Sequence, residues 1–226
     1  MAEKIKLDSV DRQILHDLQD HGRMTNVDLA KNAGISAPPC LRRVRALEDA
    51  GIIKGYHADI DSDALGYSVQ VFAFVGLTSQ AETDLQDHGR MTNVDLARNA
   101  GISAPPCLRR VRALEDAGII KGYHADIDSD ALGYSVQVFA FVGLTSQAET
   151  DLQDFELLVS TWPQVRECHM LMGETDFLLK IVAQDWDDFQ KFLTSHLTPA
   201  KNVSHVKTAL SIRSAKQLVG VPINQA

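Results

Sequence analysis

The feature that most constrains this chain is a long internal repeat. Residues 17–87 and 84–154 align at a constant offset, and Lys31 against Arg98 is the only difference between them. Solenoid repeats are shorter than this, and their units diverge in sequence. The two copies instead indicate a tandem duplication inside a shorter parent, or an assembly error. Removing one unit leaves 159 residues, which is enough for two small domains.

The first copy and the residues before it carry the pattern of three short helices. Apolar residues on one helical face, with Asp8 before them, predict a first helix that ends near His21. Thr25 and Asp28 resemble a capping box that opens a second helix with Val27, Leu29 and Ala30. Gly34 supplies the turn that follows. Ser36 is the expected N-cap of a third helix, which runs to about Ala50 with two prolines in its first turn.

The third helix has the two faces that a DNA-recognition helix needs. Cys40, Val44 and Leu47 share one side, and Arg42 and Arg45 lie opposite, with Arg43 on the flank. Guanidinium groups bind phosphates and guanine edges, although a solvated basic face would show the same pattern. The order of three helices with a glycine turn favours a helix-turn-helix. The apolar residues between Ile52 and Ile60 predict a small strand pair, the wing.

The candidate DNA contacts follow from this interpretation and occur in both copies. In the first copy they are Ser36, Pro38, Arg42, Arg43, Arg45 and Lys54. In the second copy they are Ser103, Pro105, Arg109, Arg110 and Arg112.

The second copy is expected to be the weaker module. The repeat begins inside the first helix, so Ala81 and Glu82 stand where the first copy has Ile14 and Leu15. Each loss of a buried aliphatic side chain costs about 2–5 kcal/mol. The strand predicted at 67–77 also recurs at 134–144. Both compete for one place in a sheet, and chain proximity favours the second. We therefore expect the first to be left unpaired unless it pairs at a sheet edge or with a partner chain.

The rest of the chain predicts a small α+β domain. Alternating residues give a strand at 136–144, and Ser146 with Glu149 resembles a capping box for the helix that follows. Further strands are predicted at 165–172, 177–182 and 206–212, with Asp185 capping a helix whose Trp186 points inward. The order βαββαβ is that of a ferredoxin-like unit with two helices on one face of an antiparallel sheet. Apolar side chains on the uncovered face favour a homodimer.

These motifs resemble the Lrp/AsnC, or feast/famine, regulators. The N-terminal stretch LDSVDRQILHDLQDHGRMTNVDLAKNAGISAPPCLRRVRALEDAGIIKGYHADID resembles the DNA-binding domain of that family, and GETDFLLKIVAQDWDDFQKFL resembles its ligand domain. The resemblance implies a cytoplasmic regulator that binds double-stranded DNA, forms a homodimer or higher oligomer, and responds to a small effector, commonly an amino acid. It places the effector at the turn formed by Gly173, Glu174, Thr175 and Asp176. A plain hairpin turn is the alternative for these four residues.

The sequence thus predicts an α+β chain with a duplicated winged helix-turn-helix, truncated in its second copy, before a ferredoxin-like domain. We divide it into 1–62, a linker at 63–83, a second module at 84–129, and the ligand domain at 130–226. The net charge of −8 argues mildly against nucleic acid, but residues 1–60 balance nine acids with nine bases.

No cofactor, metal site or membrane span is expected, and no enzyme motif is visible. Two alternatives stay open. One is a sirohaem-decarboxylase-like enzyme of the same architecture. The other is a defective duplicate that acts only by co-assembly with a normal protein.

Overall fold

The computed structural model describes residues 7–72 and 93–214. The chain divides into two compact units, with the division between Asp128 and Ser129. The boundary predicted from the sequence lies between residues 129 and 130, one residue further along the chain. The finer separation of the first half into two modules and a linker stays a prediction.

The first unit opens with the three helices that the sequence predicts. Asp8 caps the first helix through a reciprocal pair of hydrogen bonds with Asp11. Thr25 caps the second by accepting a hydrogen bond from the backbone N–H of Asp28. The helices are α1 (Ser9–Asp20), α2 (Asn26–Asn32) and α3 (Ala37–Asp49).

Two glycines set the path of the chain around α3. Gly34 precedes the helix and Gly51 follows it, and both adopt a left-handed backbone with φ of 68° and 69°. Of the residues that the sequence assigns to the second helix, Val27 is exposed, whereas Leu29 and Ala30 are buried. The buried residues of the three helices form one small core, made of Ile14, Leu15, Leu18, Leu29, Ala30, Cys40, Val44 and Leu47.

The second copy repeats the last two helices as α4 (Asn93–Asn99) and α5 (Ala104–Asp116). Its packing is looser. Leu114 is 39% exposed where its counterpart Leu47 is 3% exposed, and Leu96 is 38% exposed where Leu29 is 3% exposed. The predicted weakness of this copy therefore agrees in direction with the burial. The altered first helix on which that prediction depends lies outside the described residues.

The predicted wing is not a pair of strands within one copy. Residues Ile53–Ile60 form a single strand, β1, and residues Ile120–Ile127 form its counterpart, β2. The two pair antiparallel with each other. A two-residue hairpin turn needs residues with positive φ. Gly55 is the glycine within this segment, and its φ is not positive. Since β1 runs on without a turn, its free edge pairs with the identical strand of the other copy.

The left-over strand predicted at 67–77 is not a strand where the structure describes it. A short 3-10 turn at Asp63–Leu65 ends at Gly66, and residues 67–72 are exposed and form no strand. Residues 73–77 lie outside the described ranges. The identical segment 134–144 takes the place in the sheet, as expected.

The second unit has the predicted βαββαβ order. Its four antiparallel strands follow the order β4-β5-β3-β6 across the sheet. The elements are β3 (Val136–Leu144), α6 (Glu149–Ser160), β4 (Val165–Met170), β5 (Phe177–Ala183), α7 (Trp186–Phe192), a π-helical turn at Leu193–Leu197, and β6 (Val203–Ser211).

The core of the second unit lies between one face of this sheet and the two helices. Every second residue of β3, beginning with Val138, is buried against aromatic side chains. The rings of Phe155 and Phe177 lie 4.9 Å apart, and Trp162 packs edge-on against Phe192 at 5.4 Å. This core holds β3 in place, and the candidate ligand turn is bonded to the last residue of that strand, Leu144.

The other face of the sheet is mixed rather than apolar. Phe139 and Phe141 of β3 lie there, but Phe139 pairs in register with Lys180. The Nζ atom of Lys180 contacts Oε1 of Glu167 at 2.8 Å. The prediction of an apolar open face is therefore wrong in part, because an ion pair crosses it.

Two local predictions in this unit are also wrong. Ala148, not Ser146, is the N-cap of α6, and the Ser146 hydroxyl instead donates to Oδ2 of Asp151 at 2.6 Å. Trp186 is 49% exposed, because it occupies the first turn of α7, where its ring packs beside Phe189 without being covered. Asp185 does cap α7, since its carboxylate accepts from the N–H of Asp188.

Candidate functional site

The two faces of α3 are arranged as the sequence predicts. Cys40, Val44 and Leu47 are buried, whereas Arg42 and Arg45 are exposed. The same spacing that buries three apolar residues thus directs two guanidinium groups to solvent on the opposite side. Each can rotate freely enough to meet a phosphate or a base edge.

The start of α3 is exposed as well. Ser36 occupies the N-cap position with extended backbone, and its side chain makes no capping hydrogen bond. Pro38 is exposed in the first turn. The first backbone N–H groups of a helix usually attract anions, but Pro38 and Pro39 have no N–H, so this end of α3 offers fewer such donors than most helices. The predicted contacts at Ser36 and Pro38 lie at this end.

Arg43 has a different role from its neighbours. Its Nη1 atom donates to Oδ1 of Asp11 at 2.7 Å and to Oδ2 of Asp8 at 2.8 Å. These hydrogen bonds, with Asp11 contributing most, raise the pKa of Arg43 and keep it charged. Arg43 therefore ties α3 to the start of α1, and its predicted contact with DNA stays a prediction.

Lys54 is also engaged within the protein. Its Nζ atom lies 3.1 Å from Oδ2 of Asp128, across the ribbon formed by β1 and β2. The ion pair is partly exposed and therefore weak, so Lys54 can leave Asp128 and bind a phosphate instead. The prediction that Lys54 reaches DNA backbone stays untested.

The second copy presents the same basic residues on α5. Ser103 is the N-cap, and Pro105, Arg109, Arg110 and Arg112 are all exposed. Pro105, Arg109 and Arg112 line a shallow depression of about 440 Å³ along this helix. Arg110 has no acids like Asp8 and Asp11 before it, because the repeat begins after them and places Val75 and Thr78 at the equivalent positions.

The structure joins the two copies through residues that sequence reasoning missed. The N–H of Gly22 donates to the carbonyl of Tyr123 at 2.6 Å, and Nδ1 of His124 lies 2.9 Å from the carbonyl oxygen of Gln19. Arg23 donates to Glu115 at 2.8 Å, with its guanidinium 4.3 Å from the centre of the Tyr123 ring. The end of α1 in copy one therefore packs on β2 of copy two.

This junction also perturbs two titratable groups. Burial, together with the hydrogen bond to Glu115, raises the pKa of Tyr123 to about 12. Burial lowers the pKa of His57, and the nearby His124 ring, 5.6 Å away between centroids, adds to the effect. No sequence pattern marks the contacts between the copies, since Gln19 and His124 lie 105 residues apart in the chain.

The predicted effector turn is only partly open. Gly173 and Glu174 are exposed and Thr175 is half-buried, but Asp176 is 8% exposed. Its Oδ2 accepts from the backbone N–H of Leu144 at 2.6 Å, and its Oδ1 accepts from Nε2 of Gln147 at 2.7 Å. Asp176 thus fastens the turn to the end of β3, and both its oxygens already have donors.

Within residues 7–72 and 93–214, no cluster of three or more His, Cys, Asp or Glu side chains could hold a metal ion. Over the same residues, no helix has both the length and the apolar character needed to cross a bilayer.

Two protein-family models match the chain. The Lrp/AsnC ligand binding domain matches residues 137–221, and the winged helix-turn-helix DNA-binding model matches twice, over 7–54 and 85–121. The second match is shorter than the first, because it begins at residue 85, the equivalent of residue 18 in the first copy.

Curated relatives agree with these matches. A leucine-responsive regulatory protein of Rhizobium meliloti (strain 1021) is 50% identical over 140 residues, which are 62% of this chain and 90% of the relative. The transcriptional regulator AzlB of Bacillus subtilis (strain 168) is 33% identical over 142 residues, or 63% of this chain and 90% of the relative.

Two solved structures are similar to part of the chain. The feast or famine regulatory protein Rv3291c from M. tuberculosis, complexed with L-methionine, is 25% identical, with a TM-score of 0.49 over 57% of this chain and 87% of that one. A mutant of Rv3291c reaches a TM-score of 0.50 at 25% identity, over 58% and 88% of the two chains. From the extent and identity of the curated matches, the chain belongs to the Lrp/AsnC family of DNA-binding transcriptional regulators.

Proposed function

We propose that the outward arginines of α3 and α5 are the DNA-reading residues of this regulator. The proposal rests on the different surroundings of the residues on one helix, α3. Three apolar residues anchor α3, Arg43 holds it to α1, and Arg42 and Arg45 are left exposed on the far side. Arg109 and Arg112 hold the same places on α5.

The remaining candidate residues serve the phosphate backbone. Ser36 and Ser103 stand at helix N-termini with exposed side chains, where each hydroxyl group can donate to a phosphate oxygen. Pro38 and Pro105 keep these first turns rigid. Lys54 lies on the ribbon, and a phosphate can replace its partner Asp128. Such contacts fix the register of the protein on DNA without reading sequence.

The test is a fluorescence-anisotropy titration at several salt concentrations. The probe is a duplex selected from a random-sequence pool with the full chain, compared with a scrambled duplex of equal composition. We expect Arg42→Ala/Arg45→Ala to weaken binding to the selected duplex by about 10- to 100-fold, since one well-formed arginine–base pair gives about 1–3 kcal/mol of discrimination. The dependence of log K on log salt should also flatten by about 0.9 for each lost phosphate contact.

The matched control removes two positive charges from the second unit. Arg166 and Lys201 are both exposed there, so Arg166→Ala/Lys201→Ala changes net charge equally without touching a recognition helix. If the control weakens binding as much as the α3 variant, the arginines of α3 act only through net charge and the assignment fails.

The second unit is proposed to bind the effector, an amino acid. The family model that matches it is a ligand-binding domain, and the relative at 50% identity is named leucine-responsive. Leucine is therefore the first candidate. We assign Gly173, Glu174 and Thr175 to the ligand side of the turn. Asp176 holds the turn in place, because both of its carboxylate oxygens are engaged within the chain.

Effector binding can be followed by tryptophan fluorescence. Trp162 and Trp186 are the two tryptophans of the chain, and both lie in the second unit. A ligand that binds the native unit raises its unfolding temperature as its concentration rises above Kd. We expect leucine to do so and Glu174→Gln to reduce the effect. If none of the twenty amino acids shifts the transition, the effector assignment is wrong.

Self-association is part of the proposed function. Phe139 and Phe141 lie on the sheet face opposite α6 and α7, and burying them against a second copy would stabilise a homodimer. Sedimentation equilibrium checks this directly. Phe141→Lys should favour the monomer, and an unchanged mass would refute the use of this face. A regulator of this kind acts in the bacterial cytoplasm, where the DNA lies.

A further inference from the structure

We propose that a single chain reads both halves of an inverted-repeat DNA site, with α3 on one half and α5 on the other. The inference rests on the proposed DNA-reading role of these helices. It concerns what the internal repeat does, and it starts from the register of β1 against β2.

The two strands pair about a local two-fold axis. His57 lies opposite His124, and these residues are equivalents in the two copies. On either side of this pair the register is reciprocal, since Ile53 pairs with Ile127 and Ile60 pairs with Ile120. Exchanging the two copies therefore reproduces the same set of pairs. This is the arrangement of a symmetric dimer interface, in which residue i meets j and j meets i.

Contacts outside the register obey the same symmetry. Lys54 meets Asp128 and Lys121 meets Asp61, both at 3.1 Å. The N–H of Asp61 donates to the carbonyl of Ile119, and the N–H of Asp128 donates to the carbonyl of Ile52, both at 2.8 Å. The axis thus relates side chains and backbone at both ends of the ribbon.

Each recognition helix is fixed to its own strand in the same way. Tyr56 donates to Glu48 at 2.9 Å, and Tyr123 donates to Glu115 at 2.7 Å. The turns after the helices match as well, with Gly51 and Gly118 at φ of 69° and 70°. Because the strands are related by the two-fold axis, α3 and α5 are related by it too.

The first helix makes this arrangement specific. The end of α1 bonds to β2 through Gly22 and Gln19, so copy one is fastened to copy two beyond the ribbon. A Cβ atom on Gly22 would come within 2.8 Å of the backbone of His124, which shows how closely the two copies approach. The two copies therefore pack against each other as one unit and are not independent modules.

Two recognition helices related by a two-fold axis match DNA whose sequence has a two-fold axis. An inverted repeat has this symmetry, whereas a direct repeat does not. Helix-turn-helix pairs bind half-sites about 10 bp apart, or a multiple of that, centre to centre. Here both members of the pair belong to one chain, so pairing of the two readers does not depend on protein concentration.

The experiment uses the full chain and sites selected from a random duplex pool. We expect the selected sequences to contain inverted repeats. The second probe carries one half intact and the other scrambled. The wild-type chain should prefer the full site over this half-site probe by about 10- to 100-fold, from the arginine contacts made on the second half.

Both double variants should lose that preference. Arg42→Ala/Arg45→Ala and Arg109→Ala/Arg112→Ala each remove one reader, so each should bind the full and half-site probes about equally. If the Arg109→Ala/Arg112→Ala chain keeps the full preference, two chains supply the two readers and the inference is overturned. If the variant lacking all four arginines binds like the wild type, the proposed DNA-reading role itself fails.

A cross-link shows whether the ribbon forms within one chain. Residues directly opposite in an antiparallel pair have Cα atoms about 4.5–5.5 Å apart, which suits a disulfide. His57→Cys/His124→Cys in a Cys168→Ser background should oxidise to a species of monomer mass on a non-reducing gel. It should still bind the full site. Oxidation that gives only dimers would place β1 and β2 in different chains and overturn the inference.

Discussion

Gly22→Ala tests the junction between the two copies. The new Cβ atom would lie 2.8 Å from the carbonyl carbon of His124 and 2.9 Å from its nitrogen. Backbone atoms cannot turn aside as a side chain can, so the strand or the end of α1 must shift by about half an ångström. The same shift weakens the hydrogen bond from Gly22 to Tyr123. Overpacking costs about 1–3 kcal/mol and a lost hydrogen bond about 1 kcal/mol, so we expect a loss of about 2–4 kcal/mol.

Gly122→Ala is the matched control, because it adds the same methyl group to β2, the strand on which Gly22 packs. Its Cβ atom meets only the side chain of His124, at 3.4 Å, an ordinary contact. Thermal unfolding followed by far-ultraviolet circular dichroism measures both variants. At about 4 °C per kcal/mol for a domain of this size, Gly22→Ala should unfold roughly 8–16 °C below the wild type. Gly122→Ala should stay within a few degrees of it.

The tryptophan signal supplies an internal reference, since both tryptophans lie in the second unit. We expect the fluorescence transition of Gly22→Ala to stay near that of the wild type. The reasoning would be refuted if Gly22→Ala were as stable as Gly122→Ala by circular dichroism. That result would mean that the end of α1 does not pack on β2.

Three further predictions follow from the contacts. Asp176→Asn removes the charge that strengthens both hydrogen bonds of this carboxylate, so the second unit should lose about 1–3 kcal/mol by urea unfolding followed by tryptophan fluorescence. The exposed Glu174→Gln should lose none, and equal effects would contradict the buried role of Asp176. Arg43→Ala should lower the midpoint of thermal unfolding slightly and Arg110→Ala should not, because only Arg43 has the acidic pair of Asp8 and Asp11. The backbone N–H of Asp11 and the charge of Arg43 hold the pKa of Asp8 below its usual value. The stabilisation from the contact between Asp8 and Arg43 is therefore complete above about pH 4 and is lost as the pH falls through the lower pKa of the folded state. A difference in unfolding midpoint between wild type and Arg43→Ala that grew on acidification would contradict this. Absorbance at 295 nm should show Tyr123 ionising with a pKa of about 12, and Tyr123→Phe should remove that titration step. Its contribution to stability is therefore present below about pH 10 and is lost as the pH rises from there. An ordinary pKa for Tyr123 would mean that its ring is not buried.

Local patterns predicted the helices and their faces well. Asp8 and Thr25 start α1 and α2 as their capping patterns indicate, and the spacing of Cys40, Val44 and Leu47 identified the buried side of α3. These features depend on residues three or four apart, so periodicity and capping determine them. The order of strands and helices in the second unit follows for the same reason.

Long-range contacts were not predictable from the same patterns. The strand β1 has the composition of half a hairpin, and nothing within it says that its partner is the identical strand of the other copy. The exposed face of the second sheet reads as apolar along β3 alone, and its ion pair depends on Lys180 and Glu167 from two other strands. A candidate ligand such as Asp176 likewise cannot be told from a structural carboxylate until Leu144 and Gln147 are seen beside it.

The pairing of His57 with His124 has a consequence for how this regulator can evolve. In a homodimer one codon specifies both halves of the DNA reader, so every substitution is made twice and the two halves stay alike. Here the two halves are separate stretches of one gene. Arg42 can change while Arg109 does not, and Lys31 already differs from Arg98. The chain can therefore adapt to an operator whose two arms differ.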